Sequence, residues 1–232
     1  ASEYAQIALG KSASQAGLYL LYFFLGFVVT AQIGGRLLDR RGAKAPVVVG
    51  CVLAAVGFGL WAGQVTQLKF GSQVWDVVLS GAGMGFMLGP ASTDAVNRAS
   101  RLSYGEATGI TQTVRNYAAS MGLAILGTIL VSQFRSRATT SLVALGLSGQ
   151  RASVEASRIA ESQSASGGVT RIPHFIRLDF AYASRAVFYV MSGTMALAAV
   201  VALIGLRPGV QEDPDAARRG AATPQEIRPG PA

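Results

Sequence analysis

Charge is what this 232-residue sequence most lacks. Only 14% of its residues are charged, whereas a soluble domain carries about 25%. Half the residues are hydrophobic, and mean hydropathy is +0.39. This balance excludes a disordered or collagen-like chain and argues against a water-soluble enzyme domain. Cys51 is the only cysteine, so no internal disulfide can form, and it reads as a small packing residue. His174 is the only histidine. One Cys and one His leave too few ligands for an ordinary zinc site, so no metal and no cofactor is expected. There is no phosphate loop, Ser/His/Asp constellation or redox pair, and the expectation is not an enzyme. Carboxylates are scarce as well, and none falls in the middle of an apolar run.

What is present is a spacing. Lys11 and Arg36 bracket 24 residues without a charge, and Lys44 and Lys69 bracket another 24. Asp76 to Asp94 bracket 17, Arg115 to Arg135 bracket 19, and Arg185 to Arg207 bracket 21. A membrane-crossing helix needs about 20 mostly apolar residues. The sequence therefore predicts an all-α membrane protein with five spans, at 15–35, 47–67, 74–96, 107–134 and 185–206. The net charge of +8 sits between these runs, where membrane proteins carry it, so the partner is a lipid bilayer and not nucleic acid.

Between the spans lie a basic loop, 36–45, a short loop, 68–73, a polar connection, 97–106, and a long Ser/Ala-rich loop, 135–184. If 36–45 is cytoplasmic, so are 97–106 and the tail 207–232, while 68–73 and 135–184 are extracytoplasmic. The short loops then follow the positive-inside rule; the arginines of the long loop run against it. Val154, Arg158 and Glu161 have helical spacing, so part of that loop is expected to be helical, and 171–180 has the mixed character of an interfacial segment. The tail holds five of the eight prolines and is expected to be disordered. The first residue is Ala1, and the expectation is a longer native chain.

Several residues stand out within this frame. Pro46 suits a first helical turn. Gly81, Gly85 and Gly89 recur every four residues, a stripe for close helix packing, and Pro90 removes a backbone hydrogen bond beside it; packing and a gating hinge are both open readings. Tyr19 reads as an interface anchor. Arg115 lies about 12 Å into its span, counted from Glu106 at 1.5 Å per residue. A charge at that depth costs on the order of a few kcal/mol and faces a cavity or a partner. It either snorkels to pair with Asp94 or serves substrate passage or switching. Asp76 and Asp94 sit at opposite ends of the third span. In the 36–45 loop, Gly42 permits a backbone conformation that other residues resist, and Asp39 lies among Arg36, Arg40, Arg41 and Lys44. By itself this is a topology-setting basic loop.

That loop resembles the G-x-L-x-D-R-x-G-x-K motif of the major facilitator superfamily at Gly35, Leu37, Asp39, Arg40, Gly42 and Lys44. Gly81–Phe86, Gly105–Gly109 through Arg115 and Gly122, and the stretches Asp179–Ala181 and Val187–Met191 are similar to the fourteen-helix drug:proton antiporters of the EmrB/QacA type. The resemblance covers nearly the whole chain up to the tail. It implies that the five spans are the last five helices of the carboxyl-terminal repeat, with the amino-terminal half as missing partner. It further implies alternating access around a central site, protons and small hydrophobic or cationic substrates as partners, multidrug export, and a multi-pass place in the plasma (inner) membrane with a cytoplasmic tail. Gly35, Asp39, Arg40, Gly42 and Lys44 would form a conformational latch, with Asp94 as its partner. Tyr22, Phe23, Met84, Phe86 and Met87 would line the drug path, with lipid contact or core packing as the alternative for each. The coupling carboxylate would belong to the missing half. Two other functions remain open: a truncated, non-transporting membrane fragment or interaction partner, and a major facilitator carrying a metabolite.

Overall fold

A computed structural model describes residues 2–98, 103–165 and 173–207 together with Gly209. Most of the expected tail 207–232, the center of the 97–106 connection and residues 166–172 lie outside these described residues. The chain is all-α: among the described residues there are seven α-helices and no strand. These are α1 (Ser2–Ile7), α2 (Ala13–Arg41), α3 (Lys44–Gln64), α4 (Phe70–Asn97), α5 (Tyr104–Ala144), α6 (Gly149–Ala165) and α7 (His174–Gly205), with a 3-10 turn at Val65–Gln67. Five of them, α2 to α5 and α7, are long and apolar enough to cross a membrane.

The helices start where local chemistry starts them. The Ser12 side chain accepts from the Gln15 N–H at 3.3 Å, and Ser103 and Glu106 form a reciprocal capping box at the head of α5. Pro46 falls in the first turn of α3. At the end of α2, Gly42 has φ +79° and donates its N–H to the Leu38 carbonyl at 2.8 Å.

Helix ends depart from the charge-derived boundaries. The segment 36–45, read as a loop, is helical through Arg41 and resumes at Lys44, leaving Gly42 and Ala43 as the turn. The 68–73 loop ends sooner, because α4 begins at Phe70. The long loop 135–184 is mostly helix: α5 continues to Ala144, α6 spans Gly149–Ala165, and α7 begins at His174. Charge ends a lipid crossing, but Arg and Ser do not end a helix. With 41 residues, α5 is about 60 Å long at 1.5 Å per residue, about twice the 30 Å hydrocarbon core. Its last turns therefore stand outside the membrane. There Ala138 and Leu142 pack in one cluster with Ala152, Ala156 and Ala160 of α6, an alanine row at i, i+4 spacing that lets the two helices approach.

The bundle is built around α4. It packs against α2 on one side and α3 on the other, α3 packs against α7, and α7 against α5. Glycine makes the contacts with α4 close. Gly81 lies against the Phe23 carbonyl and Gly85 against that of Phe27, both on α2; Gly83 lies against Ala54 on α3. Gly26 and Gly34 of α2 and Gly50 and Gly57 of α3 answer from the other side. Gly89 takes no part, since a Cβ there meets nothing within 4 Å. Thr30 ties α2 to α4 by donating to the Ala82 carbonyl at 2.7 Å, and Ser192 ties α7 to α3 by donating to the Ala55 carbonyl at 2.7 Å.

Candidate functional site

The arc of helices leaves a cavity of about 620 Å3 among α2, α3, α4, α5 and α7. Its wall is apolar. Phe23 and Phe24 come from α2, Phe58 and Trp61 from α3, Met84 from α4, and Phe188 and Met191 from α7. The fifth helix closes it with Leu123, Leu126, Gly127 and Leu130. Trp61 and Phe188 stack with centroids 4.2 Å apart and planes 20° from parallel. No charged side chain lines it. A pocket of this size and character takes a drug-sized apolar body, and its Met and aromatic walls adapt to varied shapes.

Trp61 of the cavity wall also belongs to a buried polar network. The Gln73 side chain, 0% exposed, is its hub. Its amide nitrogen donates to the Tyr4 hydroxyl at 3.0 Å and the Gln64 carbonyl at 3.2 Å. Its amide oxygen accepts from the Tyr19 hydroxyl at 2.7 Å and the Trp61 ring N–H at 3.3 Å. Tyr4 in turn donates to the Val65 carbonyl at 2.6 Å. All four hydrogen-bonding positions of the amide are used, so the hub locks α1 to α4 together. Next to it on α4, Asp76 is buried, and its Oδ2 has no hydrogen-bond partner among the described residues; the same holds for Asp179 on α7.

Toward the other end of α4, that helix and α5 part around a second, polar cleft of about 260 Å3, lined by Ser92, Thr93 and Asn97 of α4 and Thr108, Gln112 and Arg115 of α5. The faces of α2 and α5 away from the bundle are left uncovered by the other described residues.

Residues 1–148 match the Major Facilitator Superfamily. The chain belongs to the major facilitator superfamily. It is 28% identical over 141 residues to a probable actinorhodin transporter of Streptomyces coelicolor, covering 59% of this chain and 24% of that protein. It is 29% identical over 147 residues to a multidrug resistance protein B homolog of Mycobacterium tuberculosis, covering 61% and 27%. It is 30% identical over 134 residues to the tetracenomycin C resistance and export protein of Streptomyces glaucescens, covering 56% and 24%. The chain thus spans about a quarter of the length of these relatives. No solved structure matches it. The superfamily is one of transmembrane transport proteins.

The residues expected to matter in a major facilitator are scattered by the structure into distinct places. Phe23 and Met84 stand on the cavity wall. Tyr22 and Met87 do not: Tyr22 packs on Phe70 with centroids 6.0 Å apart, and the Met87 Sδ lies 3.4 Å from the Cys51 Sγ. Phe86 gives its backbone to the α2 contact. In the latch segment, Asp39 and Arg40 are exposed, Lys44 is half-buried, and none of them makes an ion pair among the described residues. Gly42 provides the turn, and its Cα faces the carbonyl of Gly209. Gly35 is open, and its neighbor Gly34 makes the close contact with α4. Asp94 pairs with Arg98 one turn along the same helix, at 2.8 Å, rather than with Arg115; Arg98 also donates to the Arg207 carbonyl at 3.4 Å. Tyr19, read as an anchor, is buried in the Gln73 hub. Gln73 and Trp61 carry no sequence signal for their roles. They meet only because α3 and α4 fold back on each other.

Proposed function

We propose that the chain is the carboxyl-terminal transmembrane part of a proton-coupled multidrug exporter of the fourteen-helix type, working by alternating access. The observation that carries this reading is the apolar cavity of about 620 Å3, walled by rings, leucines and methionines. The names of the relatives, a multidrug resistance protein homolog and an antibiotic export protein, support a small hydrophobic substrate. The uncovered faces of α2 and α5 supply a surface for an amino-terminal half, and the short share of each relative that the chain spans supports such a half. Asp39, Arg40, Gly42 and Lys44 form the conformational latch of this reading, on the turn between α2 and α3. Gly81 and Gly85 are packing residues in it, since both lie against α2 backbone. For proton coupling, Asp76 and Asp179 are candidates within this chain, because each has a buried carboxylate oxygen without a hydrogen-bond partner among the described residues. The protein sits in the plasma membrane with its tail in the cytoplasm.

The test is export by the complete gene product in a pump-deficient bacterial strain. Cells loaded with ethidium lose the dye faster than vector controls, and a protonophore abolishes the difference. Leu126→Trp fills the cavity and slows export. Absence of any export above the control, with the protein present in the membrane, would sink the reading in favor of a non-transporting fragment.

A further inference from the structure

The apolar cavity and the polar cleft share one pair of helices. Arg115 precedes Leu126 by eleven residues and Leu123 by eight, so all three project from neighboring positions around α5. On α4, Met84 of the cavity and Ser92 of the cleft are eight residues apart, about two turns. The two spaces therefore follow one another along the α4–α5 groove, with residue Arg115 about 12 to 16 Å along the helix from the leucines.

The chemistry changes along that groove. Its apolar stretch carries no charge, and its polar stretch is rich in hydroxyl and amide groups around one cation. Among the described residues, nothing hydrogen-bonds or ion-pairs with Arg115. The acids nearest in sequence are engaged elsewhere: Asp94 is buried and held by Arg98, and Glu106 by the Ser103 cap. A guanidinium at this depth in a membrane helix calls for an anionic partner, and its planar fork suits a carboxylate.

We infer that this groove binds amphiphilic acids, with the apolar body among Phe23, Met84 and Leu126 and the carboxylate on Arg115, assisted by Ser92, Thr108 and Gln112. The inference rests on the transport reading above and narrows its small hydrophobic substrates to those carrying a carboxylate. Arg115 is then a specificity-determining residue rather than a structural one.

The probes are pyrenebutyric acid, its methyl ester and ethidium, in export assays on the complete gene product. Wild type exports the acid in preference to the ester. Arg115→Gln lowers export of the acid about tenfold or more, the effect of losing one charge-assisted hydrogen bond, and leaves ester export within twofold. Arg115→Lys restores part of the acid export, and Leu126→Trp slows acid and ester alike. If Arg115→Gln lowers acid and ester equally while the protein level holds, or lowers neither, the inference fails. It fails equally if wild type exports ethidium but no more acid than the control. Export of none of the three probes above the control, with the protein present in the membrane, would instead overturn the transport reading itself.

Discussion

Gly34 of α2 lies against the carbonyl of Phe86 on α4, and a Cβ built at Gly34 would stand 2.8 Å from that oxygen. Phe86 is four residues before Pro90, the helix-interior proline. Pro90 has no N–H, so it leaves this carbonyl without its helical donor. The bare Cα of Gly34 is what approaches it, a position suited to a weak Cα–H···O contact. Sequence and tertiary contact thus meet at one atom: the proline frees the oxygen and the glycine covers it.

Substitution separates the two adjacent glycines. Gly34→Ala forces the α2 and α4 backbones apart and lowers stability by about 1–3 kcal/mol, the usual range for overpacking. Gly35→Ala, with nothing within 4 Å, is neutral or slightly stabilizing, since alanine is the better helix former. Thermal unfolding of the detergent-purified protein reads both. Equal shifts for the two would refute the close contact at Gly34.

The Gln73 hub is a second place where one change has several consequences. Gln73→Leu leaves the Tyr19 hydroxyl and the Trp61 N–H without their acceptor in a buried site. Each unsatisfied group costs about 1–3 kcal/mol, so the variant is expected to lose more stability than Tyr19→Phe, which removes a single bond. Trp61 gives the readout, because its fluorescence maximum should shift when its N–H partner is lost. An unchanged spectrum and melting point would show that the network does not hold the helices.

At the other end, Arg98→Ala removes an ion-pair partner of a carboxylate whose side chain is 4% exposed. Asp94 keeps a further contact, and Arg98 itself is 37% exposed, so the loss is expected near about 1 kcal/mol. A double exchange of Asp94→Arg with Arg115→Asp should not repair either single change, because the two side chains are not paired. Recovery of stability or export in that double variant would show a pairing that this conformation does not contain.

Alkaline titration addresses α1, which lies outside the five candidate spans. Burial, the largest influence, pushes the Tyr4 phenol from 10.0 up to about 12. A raised value in the folded protein means that the neutral phenol is favored there. Its stabilization is complete below pH 10 and is lost as the pH rises from 10.0 to about 12. Tyr4→Phe should flatten that part of the stability curve, and the ultraviolet absorbance of one phenol should appear late in the wild-type titration. A curve of the same shape for both proteins would exclude Tyr4 as its source.

The sequence made some of this legible. Spacing between charges located five spans, because a charge is costly in hydrocarbon and cheap at its edge. Gly42 was legible as the turn, because a positive φ is a local demand. The ends of α5 and α7 were not, since charge marks where lipid stops and helices run on into water. The choice between Gly34 and Gly35 was not legible either: one residue turns a helix face by about 100°, and only the position of α4 says which face is covered. Gln73 looked like a loop residue because a polar side chain at the end of an apolar run resembles an interfacial one until its four partners are seen.

By itself, then, the sequence determined that this protein lies in a membrane, how many times it can cross, and which turn ends α2. Those are properties of composition and of single residues. The tertiary structure alone decided that Trp61 meets Phe188, that Asp94 is held by Arg98, and that Arg115 shares a groove with Leu126. Contacts between helices depend on how each is rotated and how far it slides along its neighbor. Those two quantities follow from side-chain packing over the whole bundle, and no local pattern encodes them.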